Sequence, residues 1–336
     1  MSDMEPQRSL PTLALVLPCF NEREVLHDTI ARVRSLIADL IDRAKVSQES
    51  FACFVDDGSS DETWSIISWH AARETRIAGL RLTRNFGHQS AVLAGLFKTF
   101  PVADCIISID ADLQQDPSAI ETFVASYVAG ADIVLGIRND RGSDSFGKMF
   151  TAEAFYTLMK VMGVKLTRNH ADYRLMSKRA AEALTHYGES NLFLRGLIHH
   201  LGFKVDYVYF DVFERRAGKS KYNLVKMLRL AIDGITSFSI VPLRCIGLLG
   251  LVVLVVSVVM GFYILVVALG TENAVPGWAS TVLPIYLLSG MQLLSIGVLG
   301  EYVGKIYLET KRRPRFLIAE ERMGGHSSNV QNLEVA

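Results

Sequence analysis

The apolar run Cys105–Ile109 delivers two aspartates one residue apart, Asp110 and Asp112, in "SIDADLQQDP", which stops at Pro117. Like-charged carboxylates so close together repel unless a cation or a network of donors sits between them. They are either a solvated strand end or the holders of a metal, and Gln114 could add a neutral oxygen ligand. A second acidic pair, Asp56 and Asp57 in "VDDGSSDET", closes another apolar run, "FACFV". An isolated Asp-x-Asp pair is common on exposed loops, whereas two acidic pairs at neighbouring strand ends form a stronger signal.

The elements that must position these groups follow from the pattern of apolar runs. "TLALVL" is closed by Pro18, and a helix-like segment follows from Glu22 to about Leu40. "FACFV", "GLRLT", "DCIISI" and "DIVLG" are further strands, with helices between them from about His88 to Lys98 and after Pro117. Ser59 followed by Glu62 reads as a capping box that starts another helix. Apolar runs alternating with helices predict an α/β fold: a mainly parallel, Rossmann-like sheet with helices on both faces. Ligands of such sheets sit beyond the carboxyl ends of the strands, where Asp56, Asp57, Asp110, Asp112 and Arg138 converge.

Two common phosphate-binding devices are missing. No GxGxxG follows a strand, and "AGKSK" lacks the P-loop's upstream glycine, its place being taken by Phe213. A phosphate-bearing ligand would then need another counter-charge. Asp110 and Asp112 can supply it by holding Mg²⁺ or Mn²⁺, hard cations suited to carboxylate and diphosphate oxygens.

Lys and Arg together number 35 and Asp and Glu 35, so no global field recruits nucleic acid, and no nucleic-acid partner is expected. Half of the 336 residues are hydrophobic, and they concentrate after residue 244. Nothing is charged from Cys245 to Thr271 or from Asn273 to Gly300. Each stretch exceeds the roughly 20 apolar residues that cross a bilayer, so two transmembrane helices are expected. Lys219, Lys221, Lys226, Arg229 and Arg244 precede the pair, and Lys305, Lys311, Arg312, Arg313 and Arg315 follow it. The loop "TENAVPGW" carries no basic residue, which places both termini and the N-terminal region in the cytoplasm and the loop outside; the expected location is the cytoplasmic (inner) membrane. "MSDMEPQRSLP" has no apolar core of a signal peptide. From Ser220 to Val241, Leu224, Met227, Leu228, Ala231, Ile232 and Ile235 share one helical face, the pattern of a helix lying in a membrane surface, with a core helix as the alternative. The expected organisation is a catalytic domain over 1–218, an interfacial helix region over 219–244, two spans with a short loop over 245–310, and a basic segment with a disordered tail over 311–336. Cys19, Cys53, Cys105 and Cys245 form no CxxC pair and read as buried reduced thiols.

"LPCFNERE", "VDDGSSDET", "RNFGHQSAVLAG", "DADLQQDP", "DYRLMS" and "RRAGKSKY" resemble, in order, the motifs of family 2 glycosyltransferases. The resemblance runs over about residues 11–318 and is nearest to the polyisoprenyl-phosphate glycosyltransferases, the group with dolichyl-phosphate mannosyltransferase and the bactoprenol glucosyltransferases. It implies a GT-A fold, a nucleotide-sugar donor, Mg²⁺ or Mn²⁺, and a lipid-phosphate acceptor. By this resemblance Pro18, Asn21, Glu22, Asp56, Asp57 and Asp110 bind the donor, and Asp110, Asp112 and Gln114 hold the metal and diphosphate. Arg138, Lys148, Arg215, Ser220 and Lys221 match positions around the acceptor phosphate. "DADLQQDP" departs from the commoner "DADLQDPP" after the metal positions.

The same resemblance gives Asp112 a catalytic role and sets Asp172 of "HADYRLMS" where relatives that glycosylate hydroxyls keep a base. A phosphate monoester, with a second pKa near 6, is already a dianion and needs no base, so Asp172 would instead hold sugar hydroxyls or orient Arg174. His88 is either a site residue or a cap of its own helix; His199 and His200 read as scaffold, and Arg141 and Arg179 as a solvated face. A processive polysaccharide synthase is the nearest alternative, but Trp64, Trp69 and Trp278 lie in no QxxRW pattern. A non-catalytic nucleotide-binding anchor would have lost Asp110, Asp112 or Arg215. By resemblance to the two-span bacterial members of the group, UDP-glucose is the favoured donor, ahead of UDP-N-acetylglucosamine and GDP-mannose, with undecaprenyl phosphate as acceptor. Two spans offer little packing surface, which points to a homo-oligomer such as a tetramer.

Overall fold

The computed structural model describes residues 10–139, 162, 170–188, 194–211, 239, 241–270 and 278–323. Two compact units divide the chain, the first formed by residues 1–150, 166–221 and 312–336, the second by 151–165 and 222–311.

The first unit is built on strands β1 (Leu13–Cys19), β2 (Phe51–Asp56), β3 (Ile77–Leu82), β4 (Cys105–Ser108), β5 (Ile133–Arg138), β6 (His170–Ser177), β7 (Val205–Phe210) and β8 (Ile318–Met323). They form one sheet in the order β7-β5-β6-β4-β1-β2-β3-β8. β1, β2, β3 and β4 pair in parallel, as do β5 and β7. β6 runs antiparallel between β4 and β5, and β8 runs antiparallel along β3. The helices are α1 (Leu26–Asp42), α2 (Thr63–Ala71), α3 (His88–Thr99), α4 (Ala119–Val128), α5 (Lys178–Thr185) and α6 (Leu194–His200).

β1 is buried along its whole length, which explains why its sequence is apolar without alternation. Leu13, Leu15 and Leu17 join one cluster with Ile30 and Ile37 of α1, Ile67 of α2 and Phe123 of α4. The opposite face receives α3 so closely that a Cβ on Gly95 would lie 2.3 Å from Val16 Cγ1. Pro18 is tolerated inside this central strand because pairing with β4 ends at Val16, whose carbonyl accepts from Ile109. Its missing N–H faces the side where the ladder has already stopped.

The boundaries depart from the sequence reading at three places. α1 begins at Leu26 rather than Glu22, whose amide is held instead by Thr63 Oγ1 at 3.0 Å. The capping box fails: α2 starts at Thr63 without a side-chain cap at Glu62. The Ser59 hydroxyl is committed to the Asn21 amide at 2.9 Å, and Asp61 Oδ1 takes the Thr63 amide at 3.0 Å. Part of the expected C-terminal segment is a strand, with Thr83 N donating to Leu317 O at 2.9 Å where β8 meets β3. Cys19, Cys53 and Cys105 are free and buried, but Cys245 is exposed.

The second unit contains α7 (Val241–Gly270) and α8 (Trp278–Thr310), of 30 and 33 residues. Within it Tyr302 donates its hydroxyl proton to Ser239 O at 2.6 Å. Taken over the described residues alone, no helix is long and apolar enough to cross a membrane, so the two expected spans rest on the sequence. Most of the expected interfacial helix lies outside the described residues.

Candidate active site

The site lies beyond the carboxyl ends of the parallel strands. "DADLQQDP" leaves β4 as a turn held from four sides. Thr29 of α1 donates its hydroxyl proton to Ala111 O at 2.7 Å. Gln115 Nε2 donates to Asp110 Oδ2 at 2.8 Å, while the Asp110 amide donates to Gln115 Oε1 at 3.2 Å. Leu113 is in the left-handed region at φ 46°, which reverses the chain and sends its side chain into the core. Tyr173 Oη donates to Asp116 O at 3.2 Å. A non-glycine residue at positive φ is costly and persists only where its surroundings over-determine it. Here the result is that Asp112 is exposed and Asp110 is half-buried.

The antiparallel direction of β6 brings a third carboxylate to this place. Ser108 pairs with Arg174, so Asp172, two residues earlier in β6, meets the residues that follow β4. Ser108 Oγ donates to Asp172 O at 3.0 Å, and Arg174 Nη2 donates to Asp172 Oδ1 at 2.6 Å. His88, the first residue of α3, completes the group, with Nε2 3.7 Å from Asp110 Oδ1 and 4.0 Å from Asp172 Oδ2. Burial raises the Asp110 carboxyl above its ordinary range; Asp172 and Asp112 add to the shift, and His88 and Arg138 oppose it. Arg138 ends β5, and its buried Nε has no hydrogen-bond partner among the described residues.

A second cluster forms where β1, β2 and β3 end. The Asn21 amide donates to Ser59 Oγ, and Asn21 Oδ1 accepts from the Ser60 amide at 3.0 Å. Asp57 accepts the Phe86 and Gly87 amides at 2.7 and 2.9 Å, tying the loop that carries His88 to the end of β2. Gly58 at φ 65° is required there, because a Cβ would lie 2.4 Å from the Arg84 carbonyl carbon. Asp56 accepts the Ser59 amide on Oδ1, and its buried Oδ2 has no hydrogen-bond partner among the described residues. Burial raises both carboxyls.

The family model described as Glycosyl transferase family 2 matches residues 14–185, about half of the chain. The chain belongs to glycosyl transferase family 2. Across almost the whole chain it is 46% identical to the glycosyltransferase YkoT of Bacillus subtilis strain 168, the match covering 98% of this chain and 97% of that protein. It is 40% identical to a bactoprenol glucosyl transferase of Shigella phage SfX, over 92% of this chain and 99% of that one. It is also 40% identical to a prophage bactoprenol glucosyl transferase homolog of Escherichia coli strain K12, over 91% and 98% of the two chains. Within the family, this protein is bactoprenol glucosyl transferase-like.

As a family 2 transferase the chain brings Asp110, Asp112, Asp172 and Arg138 to one end of the sheet, and Pro18, Asn21, Glu22, Asp56 and Asp57 to the neighbouring strand ends. Lys148, Arg215, Ser220 and Lys221 lie outside the described residues. Gln114 donates its backbone amide to Asp112 Oδ1 at 3.2 Å, and it is Gln115, not Gln114, whose side chain meets Asp110. Among the described residues no group of three or more metal-type side chains is placed to enclose a cation. The donor set nevertheless fits Mg²⁺ or Mn²⁺, which are bound through one or two carboxylates plus substrate phosphates rather than by all-protein cages.

Sequence reasoning did not anticipate Gln115 or Thr29 and left His88 open. The repeated glutamine in "DLQQDP" marks the first position but does not say which of the two turns inward.

Proposed function

We propose that this protein is a membrane-bound, inverting, metal-dependent hexosyltransferase that moves glucose from UDP-glucose to undecaprenyl phosphate. The observation that carries this reading is the near full-length similarity to bactoprenol glucosyl transferases. The carboxylates clustered beyond β4 and at the start of β6 agree with it.

The acceptor phosphate attacks C1 of the sugar as a dianion, so no general base is needed. Its positioning falls to arginine, the best donor for phosphate oxygens, which gives Arg138 and Arg215 their roles, with Lys148, Ser220 and Lys221 beside them. A bound Mg²⁺ or Mn²⁺ would be held by Asp110 and Asp112, with Gln114 as a further oxygen, and would neutralise charge on the departing diphosphate. Asp56, whose buried Oδ2 makes no hydrogen bond among the described residues and lies 3.7 Å from Arg81 Nε, accepts from the donor nucleoside, and Pro18, Asn21, Glu22 and Asp57 shape that pocket. Asp172, held by Arg174, takes sugar hydroxyls. One in-line displacement inverts the anomeric centre.

Membrane attachment is part of the same proposal. The uncharged stretches Cys245–Thr271 and Asn273–Gly300 support it, as do apolar side chains such as Leu248, Val259 and Phe262 that α7 leaves more than half exposed. Both termini face the cytoplasm in this reading, and the protein is a homo-oligomer such as a tetramer.

The test is a transfer assay on purified protein in detergent, with undecaprenyl phosphate, Mg²⁺ or Mn²⁺, and labelled UDP-glucose, UDP-N-acetylglucosamine or GDP-mannose. Label should enter the lipid phase from UDP-glucose and vanish with EDTA or Asp112→Asn. Transfer from another donor would replace the sugar, and no lipid product from any donor would sink the acceptor.

A further inference from the structure

Gln115 is 2% exposed, a rare place for a primary amide, and both ends of that amide are committed to a single neighbour. Its Nε2 donates to Asp110 Oδ2 at 2.8 Å, and its Oε1 accepts the Asp110 amide at 3.2 Å. The reciprocal pair removes any ambiguity of amide orientation, because a flipped amide would set oxygen against carboxylate and nitrogen against N–H. The other oxygen, Oδ1, is left facing His88 and the centre of the site.

We propose that Gln115 is a positioning residue that presents Asp110 to a divalent cation through one chosen oxygen. This deepens the reading above and rests on Asp110 and Asp112 being the metal-binding pair. Three carboxylates converge here, and in the metal-free protein their repulsion would turn Asp110 away. A buried neutral donor on Oδ2 holds the carboxylate in place without adding a charge that competes with the cation. A carboxylate at position 115 could accept the Asp110 amide but could not donate to Oδ2, so the amide is the side chain that serves both atoms. Partners that orient a metal ligand in this way typically change metal affinity about 10- to 100-fold when removed.

The experiment measures Mn²⁺ binding to the purified full chain in detergent, from the electron paramagnetic resonance signal of free Mn²⁺, with saturating UDP to supply the diphosphate oxygens, a protein-free UDP blank and no acceptor. Wild type, Gln115→Met, Gln115→Asn and Asp112→Asn are compared, each with a thermal melt. Met fills the space but makes neither bond, and Asn keeps an amide too short to span both. Both position-115 variants should bind Mn²⁺ about 10- to 100-fold more weakly. If Asp112→Asn loses binding while a folded position-115 variant stays within about 3-fold of wild type, far short of that loss, the inference about Gln115 is overturned alone. If Asp112→Asn binds Mn²⁺ as wild type does, the metal reading beneath it falls and takes the inference with it.

Discussion

At the scale of single residues, the site is organised by where each carboxylate finds its donors. His88 reaches toward two of the three clustered aspartates from the start of α3, so it adjoins the groups that would hold both diphosphate and sugar. His88→Ala should lower turnover about 10- to 100-fold, as loss of a partner beside metal-holding carboxylates does, and leave the melting temperature unchanged. A change in Tm without a change in turnover would assign the residue to the scaffold. Arg179 is not merely a solvated residue. Although its side chain is 69% exposed, it donates from Nε and Nη2 to the buried Asp132, the Nη2 bond being 2.6 Å. That pairing holds the Asp132 carboxyl below its ordinary range. A carboxyl whose pKa is lower folded than unfolded stabilises the protein above the unfolded value of about 3.9, and the contribution is lost as pH falls through the folded value. Melts between pH 7 and pH 3 should therefore fall less steeply in Asp132→Asn than in wild type. Solvent around Arg179 keeps the effect small.

Among the elements, α3 matters most for the site because it carries His88 and packs directly against β1 and β2. The approach is possible only because Gly95 has no side chain, a Cβ there meeting Val16 at 2.3 Å and Val55 at 3.1 Å. Two effects oppose each other in Gly95→Ala. Helix propensity favours alanine by about 1 kcal/mol, while overpacking a dense core costs about 1–3 kcal/mol. The contact lies well inside van der Waals distance and against a central strand, so packing should win. The variant is expected to be destabilised by about 1–2 kcal/mol in chemical denaturation. A stabilised variant would mean that α3 can shift outward freely.

For the whole molecule, the chain completes its first unit only after passing through the two long helices. β8 closes the β3 edge, which would otherwise present unpaired backbone groups. Phe316 is buried and lies 6.1 Å from Phe97 ring to ring, and Lys98 reaches Glu321 at 2.7 Å. Phe316 and β8 are thus part of the first unit's fold. Phe316→Ala should destabilise that unit by about 3 kcal/mol, the usual scale for a buried phenylalanine, and lower transfer activity through loss of folded protein. An unchanged melt would show that the strand contributes pairing without packing.

Much of this protein is determined locally and is legible in the sequence. Runs buried on both sides must be apolar throughout, so β1, β2 and β4 stand out, and Asp56 closes β2 while Asp57, Asp110 and Asp112 follow the ends of β2 and β4, where the buried ladder stops. Ordered motifs along the chain carry the family in the same way. What the sequence could not settle are meetings between distant segments. Asp172 joins Asp110 only because β6 runs antiparallel beside β4, a matter of strand direction that no local pattern records. Gln115 rather than Gln114 turns inward because Leu113 adopts a left-handed backbone to reach the core. Ser59 loses its expected cap because Asn21, 38 positions earlier, competes for the hydroxyl. Spacing and periodicity act over a few residues, whereas strand order, strand direction and competition for donors are set only when the whole sheet assembles.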